Sequence, residues 1–194
     1  MFNRTILVSL LACIAAGALA LATPTSADGG RGAADRGNVS VERGKYLVSA
    51  MGCSDCHTPK NLGPNGPELD TTRLLSGHPE SEKLPPAPVL PPGPWMVTTT
   101  GTLTAWNGPW GTSYPANLTP DPDTGLGKWT EDDFVNTIRS GRHLGRGRQI
   151  LPPMPIDMIR NFTEEDLRSI FQYLHSLPPI KNRVPEPLPP PSAN

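Results

Sequence analysis

Two cysteines three positions apart with a histidine directly after them, Cys53, Cys56 and His57, stand in the stretch GCSDCHTP at 52–59, and the chain's one other cysteine is Cys13, far upstream. On a single helical turn, thiols at i and i+3 reach the same side, and the adjacent imidazole can swing beneath whatever they hold. C-x-x-C-H in this form is the attachment pattern of a c-type haem. On that reading each thiol would add to a vinyl group and become a thioether, and His57 would be the proximal iron ligand. Two other chemistries use paired cysteines. A zinc site needs two further ligands at comparable spacing, and the chain offers only His78, His143 and His175, scattered singly. A dithiol redox pair belongs in a βαβ setting, which the sequence does not supply.

A proximal histidine donates its other ring N–H to an acceptor that fixes its orientation. The stretch NGPEL at 65–69 offers one, since a stiff Gly66-Pro67 turn can present the Pro67 carbonyl; the same residues equally make an ordinary loop turn. For the sixth position methionine is the first candidate. In ILPPMPIDM at 150–158, Met154 lies between prolines that would hold its thioether on a stiff loop. Met158, Met96 and the three other histidines are the remaining candidates, and Met154 also reads as core filler. Arg139, Arg142, Arg146 and Arg148 cluster with His143 ahead of that loop. Such a run is a solvated face, or else it pairs with haem propionates or docks an acidic partner.

The elements that must position these groups are helical. Ser40 caps VERGKYLVSAMG, whose Val41, Gly44, Val48 and Met51 share a face, so one helix is expected to run into Cys53. A second starts after Thr130, with Asp133 closing a capping box and Gly141 ending it. In the third, Thr163 is the cap, Leu167, Ile170, Phe171 and Leu174 fall at i, i+3, i+4 and i+7, and Pro178-Pro179 stops the run. An all-α fold is therefore expected. Residues 58–129, rich in Pro and Gly and holding all four Trp, form a long loop insertion, of which 84–95 is extended; only VTTTGTL hints at a strand.

At the N-terminus, Arg4, the apolar run Ile6 to Ala22 and the small residues Thr25 and Ala27 read as a secretory signal peptide over 1–27, with an uncleaved anchor as the alternative. A Gly-rich, charged linker over 28–39 follows, then a single domain over 40–178 and a Pro-rich tail over 179–194, expected to be extended and mobile after 183. With Lys+Arg 17 against Asp+Glu 18, nothing in the charge points to nucleic acid.

Residues 40–178 resemble a class I cytochrome c, on CSDCH, GPEL, the methionine loop and the capped last helix. NLTPDPDTGLGKWTEDDFVNTIRSG followed by LPPMP is similar, more narrowly, to the cytochrome c subunits and domains of periplasmic alcohol and gluconate dehydrogenases. The resemblance implies an all-helical fold whose first and last helices cross beside the haem, with Gly44 allowing close approach near Phe171 and Leu174, and with Asn117 and Trp129 near the haem. It departs from those subunits in bearing one C-x-x-C-H and a Pro/Trp-rich insert over 84–111.

The expectation is a periplasmic electron carrier, not an enzyme, with one covalent haem c and His57 and Met154 as axial ligands. Its partners would be redox proteins (a dehydrogenase, an oxidase or another cytochrome), and it would meet a membrane only through an uncleaved N-terminal segment. The alternatives are a haem enzyme with an open sixth position and a cytochrome subunit clamped to a dehydrogenase.

Overall fold

The computed structural model describes residues 39–190, so the expected signal peptide and nearly all of the expected linker lie outside the described residues. Helix α1 spans Val41–Ala50, with Ser40 Oγ accepting the Arg43 N–H as foreseen. It does not run into Cys53. Gly52 takes a left-handed conformation (φ 64°), and Cys53–His57 form a separate short helix, α2. That break is a backbone event at a residue with no Cβ to oppose it.

Helix α3, Glu131–Ser140, carries the full Thr130/Asp133 capping box and ends on left-handed Gly141 (φ 68°). A short helix α4, Ile156–Ile159, leads to α5, Glu164–Ser176, capped by Thr163. Leu47 and Val48 of α1, Phe134, Val135 and Ile138 of α3, Ile156 and Ile159 of α4, and Leu167, Ile170, Phe171 and Leu174 of α5 close one core, with Leu75 and Leu126 contributed by loops. Helices α1 and α5 make the most extensive contact between elements. At the crossing a Cβ on Gly44 would stand 1.9 Å from the Ser169 carbonyl oxygen and 2.8 Å from Tyr173 Cβ. The close approach expected of Gly44 is therefore made to Ser169 and Tyr173, within two residues of Phe171 and Leu174.

The all-α expectation is overturned. The long Pro/Gly/Trp-rich region contains two antiparallel sheets. In the first, β1 (Lys60–Gly63) pairs with β2 (Gly66–Leu69), Gly63 opposite Gly66, around Pro64-Asn65. In the second, β3 (Thr98–Thr99), β4 (Trp106–Gly108) and β5 (Gly111–Ser113) lie in that order, the last pair turning at Pro109-Trp110. Strands of two to four residues are too short to write an alternating pattern into the sequence. Their turns carry the signal instead, in GPNG and GPWG, where Gly66 (φ 109°) and Gly111 (φ 92°) occupy backbone that other residues avoid. Residues 82–97 form neither helix nor strand, in keeping with an extended proline-rich segment.

The rest of the region is pinned by loop-to-loop bonds. Gly77 N–H donates to the His57 carbonyl (2.7 Å), His78 N–H to that of Pro115 (3.1 Å), and Leu118 N–H to that of Leu75 (2.9 Å). The proline-rich tail, expected to be mobile, is likewise tied down through residue 188. Asn182 Nδ2 bonds the carbonyls of Ser76 and His78, Glu186 pairs with Arg148, and Leu188 exchanges both backbone bonds with Thr112. An extended chain of prolines has little entropy left to lose on docking, so a few such bonds hold it. Among the described residues no helix is long and apolar enough to cross a membrane.

Candidate haem site

Helix α2 is a single turn, so it lines up Cys53, Cys56 and His57 while leaving both thiols unbridged. Among the described residues no three His, Cys, Asp or Glu side chains converge on a metal site. His57 is buried, and its Nδ1–H donates to the Ala116 carbonyl at 2.8 Å. Burial pushes the imidazole's pKa down, and the Ala116 bond opposes this only in part. The ring is thus neutral at physiological pH, with its proton on Nδ1 and the Nε2 lone pair available to a metal. Burial also pushes the Cys53 thiol up to about 11 and the Cys56 thiol upward, the latter opposed by Lys60. Two neutral, unpaired thiols beside an oriented neutral imidazole are the donors a covalently attached haem requires, and the residues fit that group.

The acceptor for His57 is not Pro67. Pro67 is exposed, on β2 opposite Leu62. The carbonyl comes from a loop 59 residues along the chain. Asn117 stabilises that loop. Its buried side chain accepts the N–H and hydroxyl of Thr119 (3.0 and 2.8 Å) and donates to the Ile180 carbonyl (2.8 Å). One turn on, Asp121 Oδ1 collects the N–H groups of Asp123 and Thr124 and the Thr124 hydroxyl. The hydroxyl is the main reason the Asp121 carboxyl is held below the usual carboxylate range. The NLTPDPDTG stretch is thus a self-bonded turn that presents Ala116 to His57. A backbone carbonyl has no residue-type signature, so Ala116 escaped the sequence reading; the neighbouring Asn117 was the available signal.

Trp129 is half-buried against the core, its ring at 84° to that of His143 with 5.1 Å between centroids. Met154 also packs against that core, as does Cys53. It lines a cavity of about 580 Å³ together with Ile150, Pro155, Met158, Arg142 and Arg160, a volume within the usual range of cofactor pockets. His57 and the two cysteines are not among the residues lining that cavity. Of the other sequence candidates for the sixth position, Met158 shares the cavity lining with Met154. Met96 and Met158 are exposed, His78 is buried against Thr104 and Tyr114, and His175 bonds the Leu126 carbonyl. In the arginine cluster, Arg139 bonds the Arg160 carbonyl, Arg142 the Gly147 carbonyl at 3.0 Å, and Arg148 reaches Glu186 at 3.4 Å. Those three have partners within the chain.

The cytochrome c family model matches residues 41–178. Among curated proteins, the chain is 29% identical over 135 residues to the fructose dehydrogenase cytochrome subunit of Gluconobacter japonicus, covering 70% of this chain and 21% of that one. It is 28% identical over 141 residues to the gluconate 2-dehydrogenase cytochrome c subunit of Pantoea cypripedii (72% and 24%). To the cytochrome c subunit of the quinone alcohol dehydrogenase of Gluconacetobacter polyoxogenes it is 30% identical over 147 residues (72% and 25%). The chain therefore spans a quarter or less of the length of these relatives. The matched segment opens at the first residue of α1 and closes just beyond α5, taking in the whole helical core and the loops that present Ala116 and Met154, and on that extent the chain belongs to the cytochrome c family.

Proposed function

We propose that this protein carries single electrons between redox proteins in the periplasm, on one c-type haem held through Cys53 and Cys56 with His57 and Met154 as axial ligands. Family membership supports electron transfer on a covalently bound haem. When bound, that haem supplies the one-electron couple. The chain's own residues do the rest. Cys53 and Cys56 anchor it as thioethers. His57 keeps its proton on Nδ1 against Ala116, which holds Nε2 as the ligating atom. Met154, on a loop of prolines, would be the second protein ligand to the iron, and a His/Met pair would raise the reduction potential.

The observation that carries the reading is the His57–Ala116 bond, because it fixes the one tautomer that leaves Nε2 as a ligand. Export follows from the pattern of residues 1–27, with residues 40–178 as the haem domain. Since the relatives include the cytochrome c subunits of gluconate and alcohol dehydrogenases, a dehydrogenase is the electron donor we favour. Acid-acetone extraction of the purified protein should leave the haem on the polypeptide, with the mass of a single haem, and the mature chain should begin at Asp28. Free haem in the solvent, or a second haem mass, would overturn the corresponding part of the proposal.

A further inference from the structure

Pro152, Pro153 and Pro155 surround Met154, so the segment 152–155 has one backbone N–H among four residues. A loop of this kind cannot tie itself down through its own peptide donors. Met154 N–H reaches only the Leu151 carbonyl, at 3.3 Å. The Met154 carbonyl accepts the Ile156 N–H at 2.9 Å and the Pro155 carbonyl those of Met158 and Ile159 at 3.1 Å, which leaves the Pro152 carbonyl, at the head of the loop, to a donor from elsewhere.

That donor is the insert. Ser113, on β5, is buried, and its hydroxyl lies 2.6 Å from the Pro152 carbonyl. The direction of the bond is forced. The Trp110 indole N–H, 3.2 Å away, can only donate to Ser113 Oγ, and a carbonyl can only accept, so the single hydroxyl proton goes to Pro152. The competing acceptor, the Trp106 carbonyl, is at 3.5 Å. The hairpin bearing Ser113 is itself anchored. Thr112 pairs with Leu188 of the tail, and a Cβ on Gly111 would meet the Leu188 carbonyl at 2.1 Å, so the tail lies flat against β5.

We infer that Ser113 is a positioning residue for Met154: the β3-β4-β5 insert braces the methionine loop through the Trp110–Ser113–Pro152 relay and sets how readily the thioether leaves the iron. This rests on Met154 being the axial ligand. The insert thereby gains a role in the electron-transfer site although none of its side chains is a ligand.

The test is imidazole binding to the ferric holoprotein, read from the visible spectrum, in wild type, Ser113→Ala, Thr112→Val and Met154→Ala. Loss of one buried hydrogen bond shifts an equilibrium roughly 3- to 10-fold, so Ser113→Ala should bind imidazole about that much more tightly than wild type. Thr112→Val removes a bond of similar kind on the same hairpin, to Asn107 Oδ1 at 3.0 Å, that is not aimed at the loop; its affinity should equal wild type. If Ser113→Ala does not fold, Ser113→Cys, nearly isosteric but a weaker donor, should give an intermediate affinity. A Ser113 variant that folds and binds as wild type does, or a Thr112→Val affinity raised as much as Ser113→Ala, overturns the brace alone. Wild type binding imidazole as tightly as Met154→Ala overturns the axial reading and the brace together.

Discussion

His57 and Ala116 are joined by a 2.8 Å hydrogen bond across 59 residues of chain, and the loop that makes it is held by Asn117. Replacing Asn117 with Ala orphans the Thr119 N–H in a buried site and leaves the Ile180 carbonyl only the Thr119 hydroxyl at 3.3 Å, which costs about 2 kcal/mol of stability in denaturant titrations. The same change lets the Ala116 carbonyl drift, which makes the imidazole less basic and the oxidised form less favoured. The reduction potential of Asn117→Ala should therefore rise relative to wild type. A variant that loses stability with its potential unmoved would separate the Asn117 cage from the proximal bond.

Met154→Ala should abolish the long-wavelength sulfur-to-iron band of the oxidised protein, lower the reduction potential and open the iron to cyanide. Met96 is 60% exposed and Met158 51% exposed, so Met96→Ala and Met158→Ala should leave all three properties as in wild type. Optical spectra and a redox titration of the three variants decide which methionine is the ligand.

Gly44→Ala pits a favourable helix propensity against a collision with backbone at 1.9 Å. The propensity gain is about 1 kcal/mol, whereas forcing two packed helices apart costs roughly 1 to 3 kcal/mol or more. Because the obstructing atom is a carbonyl and not the end of a flexible side chain, separation wins, and the melting temperature should fall. Gly93→Ala is the control. Its Cβ would meet nothing nearer than 3.9 Å, so its stability should stay within about 0.5 kcal/mol of wild type.

The Asp121 carboxyl accepts three bonds when ionised, and its folded pKa is depressed. A depressed carboxylate adds stability above its unfolded pKa of about 3.9 and loses it as pH falls through the folded value. Wild type should therefore lose stability as pH drops below about 4. Asp121→Asn keeps an acceptor oxygen but not the titration, so it should be less stable at neutral pH and show a shallower acid limb in urea titrations across pH.

Much of this architecture is written locally. CSDCH needs only helical spacing to bring its three side chains together, and the Thr130 and Thr163 caps, with Gly141 beyond, set their helices through contacts within four residues. The sheets of the insert, the seating of the tail and the acceptor for His57 are of another kind. Strands of two to four residues carry no periodicity, so the all-α reading was wrong where the turns GPNG and GPWG alone spoke for hairpins. Pro67 was a reasonable acceptor by proximity in the chain, but a carbonyl is chemically the same at every residue, and only packing decides which one faces an imidazole. The same holds for Ser113 and Pro152, 39 residues apart. Which residue types could hold a haem, and where the capped helices α3 and α5 start and stop, could be read before any fold was known, because both depend on residue type and short-range spacing; the break at Gly52 and the short α4 could not. Which backbone atoms and hydroxyls orient those groups emerged only from the folded chain, because long-range hydrogen bonds to main-chain carbonyls leave no mark on residue identity.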